Sequence, residues 1–146
     1  MKKFVFTLEK VLNYKNQTLD VLKNELSTLQ RELEIMNQKI DELEGVFANT
    51  NQTLVEQMQT GVASSELTVY KVYLSDINAT IKHKREEKHQ LELRIAKKQT
   101  EVIGMNIEIA SLDKLKEKQF EEYRKAEQSA AEVELNEFIN NLSISV

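Results

Sequence analysis

The side chains in this sequence best suited to chemistry are two histidines and two adjacent pairs of glutamates. His83 and His89 are six residues apart, so a helix places them on different faces, whereas a metal-binding pair on one helix is spaced by four. The glutamate pairs at 86–87 and 121–122 also diverge around a helix, in charged sequence that gives no reason for burial. We therefore expect no catalytic residue, no metal site and no cofactor.

The composition narrows the fold class to all-α. The chain has 146 residues, 40 % hydrophobic and 30 % charged, with no Pro, no Cys and three Gly. Strand-rich domains need frequent turn residues and phosphate-binding loops need glycines, and this sequence has too few of both. Without cysteine it forms no disulfide, thiolate metal site or cysteine nucleophile. We expect a protein that is not an enzyme.

The charge and hydropathy patterns restrict the possible partners. A net charge of −4 gives no overall attraction to nucleic acid or anionic lipid. The apolar run that starts at Phe4 is interrupted at Glu9, too early for a signal peptide, and no uncharged run approaches the roughly 20 residues of a membrane span. We expect a cytoplasmic protein with no membrane span and no nucleic-acid partner.

A heptad repeat covers the first third of the chain and predicts a coiled-coil seam. The residues at its a positions are all apolar, and those at its d positions are mostly apolar. The a positions are Val5, Leu12, Leu19, Leu26, Leu33, Ile40, Phe47 and Leu54, and the d positions are Leu8, Lys15, Leu22, Leu29, Met36, Leu43, Thr50 and Gln57.

A second heptad register follows, one residue out of phase with the first. Its a positions are Leu67, Leu74, Ile81, Lys88, Ile95, Val102 and Ile109, and its d positions are Tyr70, Ile77, Lys84, Leu91, Lys98, Met105 and Leu112. The break falls on 61–65, where Gly61 is a helix C-cap signal and Ser64 or Ser65 is an N-cap signal. We predict one domain, 1–146, with a helix over about 5–60, a turn over about 61–65 and a helix over about 66–141.

Folding the two helices antiparallel places residue i near residue 124 − i. This pairs Phe47 with Ile77, Leu33 with Leu91, and Leu12 with Leu112. Charge supports the hairpin, because 82–98 has a net charge of +4 and the stretch that it faces, 26–42, has a net charge of −2. The second helix is the longer one, so beyond about residue 124 it has no partner helix.

Aromatic residues gather at both predicted ends of the hairpin. One group contains Phe4, Phe6, Phe120, Tyr123 and Phe138, and the other contains Phe47, Tyr70 and Tyr73. A two-helix coil is too thin to bury them all. Tyr73 and Val46 lie off the heptad seam, so we expect them to be available to a partner.

The opening Phe4-Val5-Phe6-Thr7-Leu8-Glu9-Lys10-Val11-Leu12, the turn at 61–64 followed by Tyr70, Tyr73 and Leu74, and the charged stretch 114–124 resemble the flagellar export protein FliJ family. The resemblance covers the full chain. It implies a two-helix antiparallel coiled coil similar to the rotor subunit of rotary ATPases. Such a protein is a soluble component of the flagellar type III export apparatus, peripherally associated with its membrane-embedded part.

The resemblance also implies partners: the hexameric flagellar export ATPase, whose assembly the family promotes, the cytoplasmic domain of the export gate protein, and export chaperones. By position, we expect the ATPase ring to contact Phe4, Phe6, Phe120, Tyr123 and Phe138. We expect the export gate to contact Leu43, Val46, Phe47, Thr50, Tyr73 and Ile77 near the turn.

Two other readings of the same pattern remain open. A prefoldin-like holdase would grip unfolded clients with its helical tips, although such chaperones usually add a sheet for which this chain lacks turn residues. A plain structural coiled coil would self-associate in parallel, which requires neither the break at Gly61 nor opposite charges on the two helices.

Overall fold

The computed structural model describes residues 2–145 and contains two helices. Helix α1 spans Glu9–Thr60 and helix α2 spans Ser64–Ser145, and the described residues include no β-strand. The predicted class, two long helices packed as an antiparallel hairpin with the second one longer, is confirmed. The predicted domain also included Met1 and Val146, which lie outside the described residues.

Helix α1 begins at Glu9 rather than at about residue 5, and this changes the start of the seam. Val5, expected at a core position, is 74 % exposed, whereas Phe6 is 4 % exposed. Residues 2–6 are not helical, and the Phe6 carbonyl accepts a hydrogen bond of 3.1 Å from the Glu9 N–H. The heptad spacing therefore does not apply to this segment. From Leu8 to Gln57, every predicted a and d residue is buried or half-buried.

The chain reverses at residues 61–63, inside the predicted turn. Gly61 follows the last residue of α1 and has a φ of +99°. Residues with a Cβ rarely adopt this backbone conformation. The Ala63 carbonyl accepts a bond of 3.0 Å from the Leu67 N–H, so α2 starts at Ser64. The expectation that Ser64 or Ser65 caps this helix was wrong, because the residue before the first turn is Ala63.

Two glycine substitutions are expected to change stability in opposite directions. Gly61→Ala forces a Cβ into positive φ and should lower the free energy of unfolding by about 1 kcal/mol. Gly104→Ala adds the same methyl group inside α2, where open space surrounds it, and should raise that free energy by about 0.5–1 kcal/mol. Urea unfolding followed by circular dichroism measures both. A loss of stability in Gly104→Ala would contradict the helical assignment at this site.

The chain divides into two compact units. The first, here the terminal unit, contains the residues up to Val21 and those from Val102 onward. Its core consists of Phe6, Leu12, Leu19 and Ile109, with Leu8, Met105 and Leu112 among the residues packed against them. Ion pairs join Lys15 to Glu108 (2.9 Å) and Lys116 to Glu9 (2.8 Å), so the helix segments in this unit run antiparallel.

The second unit, here the turn unit, is Leu22–Glu101. Its buried cluster contains Leu29, Leu91 and Ile95, with Leu26 and Leu33 packed against them. As predicted, Leu33 and Leu91 belong to one cluster here, and Leu12 and Leu112 belong to one cluster in the terminal unit. The pairing of Phe47 with Ile77 stays a prediction.

Opposite charges do join the helices of the turn unit, but through different acids from those expected. Lys98 pairs with Glu25 at 2.6 Å, and Arg85 pairs with Glu44. Glu25 and Glu44 lie just outside the stretch 26–42 that was expected to face residues 82–98. Lys98 donates hydrogen bonds to Glu25 and to Glu101, and these bonds raise the pKa of Lys98 and so favour its charged form at this seam position.

Candidate interaction surfaces

Three aromatic residues of the terminal unit form one cluster, here the aromatic cluster: Phe4, Phe120 and Tyr123. The ring of Phe4 lies edge-on to Phe120, with centroids 5.2 Å apart, and 5.5 Å from Tyr123. Phe120 and Tyr123 are stacked at 6.4 Å. These distances fall within the favourable range for aromatic pairs, so the cluster holds the segment before α1 against α2.

A hydrogen bond strengthens this attachment. The Tyr123 hydroxyl donates to the backbone carbonyl of Lys2 at 2.5 Å. No pattern of residue types predicts this bond, because its acceptor is a backbone carbonyl in a non-helical segment. The side of the aromatic cluster that faces solvent opens onto a shallow groove lined by Phe4, Asp113, Lys116, Glu117 and Phe120.

Removal of the Tyr123 hydroxyl should loosen the segment that precedes α1. In Tyr123→Phe the rings stay in place but the Lys2 carbonyl loses its donor, which should cost about 0.5–1.5 kcal/mol. Hydrogen exchange of residues 2–8 should accelerate correspondingly. Tyr14→Phe is the matched control, because Tyr14 is exposed and far along α1 from this bond. Equal exchange rates in both variants would show that the rings alone hold the segment.

The five residues expected to contact an ATPase ring occupy three different environments. Phe4, Phe120 and Tyr123 form the aromatic cluster, and Phe120 remains exposed. Phe6 is buried in the core cluster against which Phe4 packs. Phe138 lies further along α2 and is exposed.

Phe138 belongs to a part of α2, here the distal segment, that comprises residues 124–144. Every residue in it is exposed, although it contains large apolar side chains. These are Val133, Leu135, Phe138, Ile139, Leu142 and Ile144. The prediction that α2 continues without a partner helix beyond about residue 124 agrees with this exposure. Sequence reasoning singled out Phe138 but gave no role to Ile139, although it lies four residues from Leu135.

The six residues expected to contact an export gate all lie in the turn unit, but only two of them are exposed. Val46 and Tyr73 are 41 % and 49 % exposed, as their positions off the seam predicted. Ile77 is buried, and the side chains of Leu43, Phe47 and Thr50 are half-buried, as expected for seam positions.

Two valines missed by sequence reasoning extend the surface around Tyr73. Val69 and Val72 are exposed, and their spacing from Tyr73 places all three on one face of α2. Both valines lie outside the a and d positions of the second register. This position in the heptad could have predicted their exposure. We call Val69, Val72 and Tyr73 the turn-side patch.

The side chains first considered for chemistry lie on the surface. His83 Nε2 is 2.8 Å from Glu87 Oε1, and the histidine is exposed. The described part of the chain contains no cluster of three or more His, Cys, Asp or Glu residues that could hold a metal ion. Neither helix, over the residues described, has an apolar stretch able to cross a lipid bilayer.

Two long helices joined by a short turn and packed along heptad seams define a helical coiled-coil protein. Residues 4–144 match the family described as flagellar FliJ protein. The chain therefore belongs to the FliJ family, which associates it with flagellar protein export, and the resemblance noted in the sequence is confirmed. No curated protein and no solved structure matches the chain significantly.

Proposed function

We propose that this protein is the coiled-coil stalk of a flagellar type III export apparatus. It promotes assembly and activity of the hexameric export ATPase through the terminal unit, and it contacts the cytoplasmic domain of the export gate protein through the turn unit. It also handles export chaperones. It acts in the cytoplasm, at the membrane-embedded export apparatus, as a single hairpin domain with no catalytic residue of its own.

The family match over residues 4–144 carries this proposal, and two features of the chain support it. Every residue of the distal segment is exposed, and a series of large apolar side chains is among them. Exposed large apolar side chains that lie close together mark interaction sites in well-folded proteins. Next to the distal segment, the aromatic cluster offers the large rings that are enriched at interface hot spots.

The test is a titration of the intact protein into the export ATPase from the same organism. ATP hydrolysis and hexamer formation are followed together, the latter by light scattering. We expect both to rise with protein concentration and to saturate. An unchanged hydrolysis rate over the whole titration would refute the stalk role.

The assignment of the export gate to the turn unit rests on the turn-side patch and Val46. Tyr73→Ala is expected to weaken binding to the cytoplasmic domain of the gate protein by about tenfold, because an exposed tyrosine at an interface contributes roughly 1–2 kcal/mol. Tyr14→Ala removes the same ring from the terminal unit and should leave gate binding unchanged. Calorimetric titration measures both. If the two substitutions weakened binding equally, the assignment of the gate contact to the turn unit would be wrong.

A prefoldin-like holdase is the second reading that the exposed apolar residues permit. It predicts that the protein suppresses aggregation of an unfolded client without any ATPase present. A plain structural coiled coil predicts neither that suppression nor a rise in ATP hydrolysis. The ATPase titration and an aggregation assay therefore separate the three functions.

A further inference from the structure

Three large apolar side chains of the distal segment lie on one stripe of α2. Leu135, Phe138 and Ile139 follow each other at spacings of three and one, and Leu135 and Ile139 are four residues apart. At about 100° per residue, these three positions share one face of the helix. All three side chains are exposed. We call them the distal stripe.

Carboxylates flank the distal stripe on both sides. Glu134 precedes Phe138 by four residues and continues the edge begun by Glu127, whereas Glu132 precedes Leu135 by three and borders the opposite edge. Glu137 adds a further negative charge. None of these glutamates forms an ion pair with a described residue.

Positive charge is missing from the same stretch. Lys125 is the last basic residue in the sequence, so 126–144 combines an apolar stripe with negative charge alone. The rest of α2 differs, since its basic residues outnumber its acids over 82–98. Beyond Lys125 the distal segment is therefore acidic, with an apolar stripe bordered by carboxylates, whereas other stretches of α2 carry mixed charge.

We infer that the distal segment binds an apolar groove rimmed by Lys and Arg side chains on its protein partner. This inference rests on the proposed function, in which that partner is the export ATPase ring. The apolar groove takes Leu135, Phe138 and Ile139, while the basic rim meets Glu127, Glu132 and Glu134. Charge complementarity of this kind accelerates association and selects the partner.

The same charges disfavour the other occupants of this face. Two copies of the distal segment packed stripe to stripe would bring their glutamate edges together, and like charges repel across an interface. An anionic membrane attracts helices with basic polar faces and repels this one. A basic protein groove is the partner that uses both the stripe and its edges.

The experiment compares full-length variants in binding to the purified export ATPase, measured by fluorescence anisotropy at increasing NaCl concentrations. The test variant is Glu127→Gln/Glu132→Gln/Glu134→Gln. Its matched control is Glu32→Gln/Glu34→Gln/Glu42→Gln, which removes as many exposed charges from α1 in the turn unit without touching an ion pair. Both variants keep the length and helix preference of each side chain.

We expect the test variant to bind about tenfold more weakly at low salt and to lose most of the salt dependence, because several rim contacts disappear together. The control variant should bind like the intact protein. Equal affinity and equal salt dependence in test and control variants would overturn the inference while leaving the proposed function standing. If the intact protein itself does not bind the ATPase, the proposed function fails, and the assignment of this groove fails with it.

Sedimentation with lipid vesicles tests the membrane alternative directly. Vesicles of neutral and of anionic lipid are each mixed with the intact protein and the test variant. We expect neither to sediment with either vesicle. Binding of the intact protein to vesicles more tightly than to the ATPase would assign the distal stripe to lipid and overturn the inference.

Discussion

A chain shortened to end at Tyr123 should fail to stimulate the export ATPase while remaining folded. This is the largest functional effect that the structure predicts, because the truncation removes the whole distal segment, whose residues are all exposed. The core residues Phe6, Leu12, Leu19 and Ile109 and the aromatic cluster all remain. Stimulation should fall at least tenfold, measured in the same ATP hydrolysis assay as the intact protein.

The control for this truncation is its stability. The free energy of unfolding should change by less than about 0.5 kcal/mol, because no buried side chain is lost. Phe138→Ala in the full-length chain should give an intermediate loss of stimulation. A truncated chain that stimulates as well as the intact one would move the ATPase contact to the aromatic cluster and its groove.

Ile109→Ala should be the most destabilising of the substitutions considered for this protein. Ile109 is 8 % exposed and packs in the cluster that contains Leu12 and Leu19. Its truncation removes buried apolar surface and leaves a cavity, at a cost of about 2–4 kcal/mol. Urea unfolding monitored at 222 nm should show a lower midpoint with little change in slope.

Ile107→Ala is the matched control. It removes the same atoms from the same helix two residues away, but Ile107 is 63 % exposed. Its free energy of unfolding should stay within about 0.5 kcal/mol of the intact protein. Similar losses in the two variants would show that the seam does not run through Ile109, which would contradict the register on which the hairpin depends.

The fold was predictable because its signal is periodic and repeated many times. From Leu8 to Gln57 and from Leu67 to Leu112, apolar residues at alternating spacings of three and four lie on one face of each helix. Each heptad is weak evidence, but the series as a whole places a mostly apolar face on each helix, and these faces are buried or half-buried together. The phase break at Gly61 then locates the turn, since glycine alone tolerates the positive φ found there.

Residues outside the periodic region were harder to place. The heptad places Val5 in the core and Phe6 outside it, but Val5 is exposed and Phe6 is buried. The reason is that the chain before Glu9 is not helical. The bond from Tyr123 to the Lys2 carbonyl joins positions 121 residues apart, and no local pattern encodes such a contact. The expected ATPase and gate residues likewise mixed buried seam positions, such as Ile77, with exposed ones, such as Tyr73.

The sequence by itself determined the class of the protein, the positions of both helices and the seam between them, because side-chain spacing on a helix depends only on local geometry. Only the tertiary structure decided which apolar residues remain for a partner. Val5 and Phe6, adjacent apolar residues, have exposures opposite to those that the heptad predicted, and Phe6 and Phe138 are identical residue types with opposite fates. Their exposure depends on what packs against them, and packing depends on the position of the partner helix and of the segment before it.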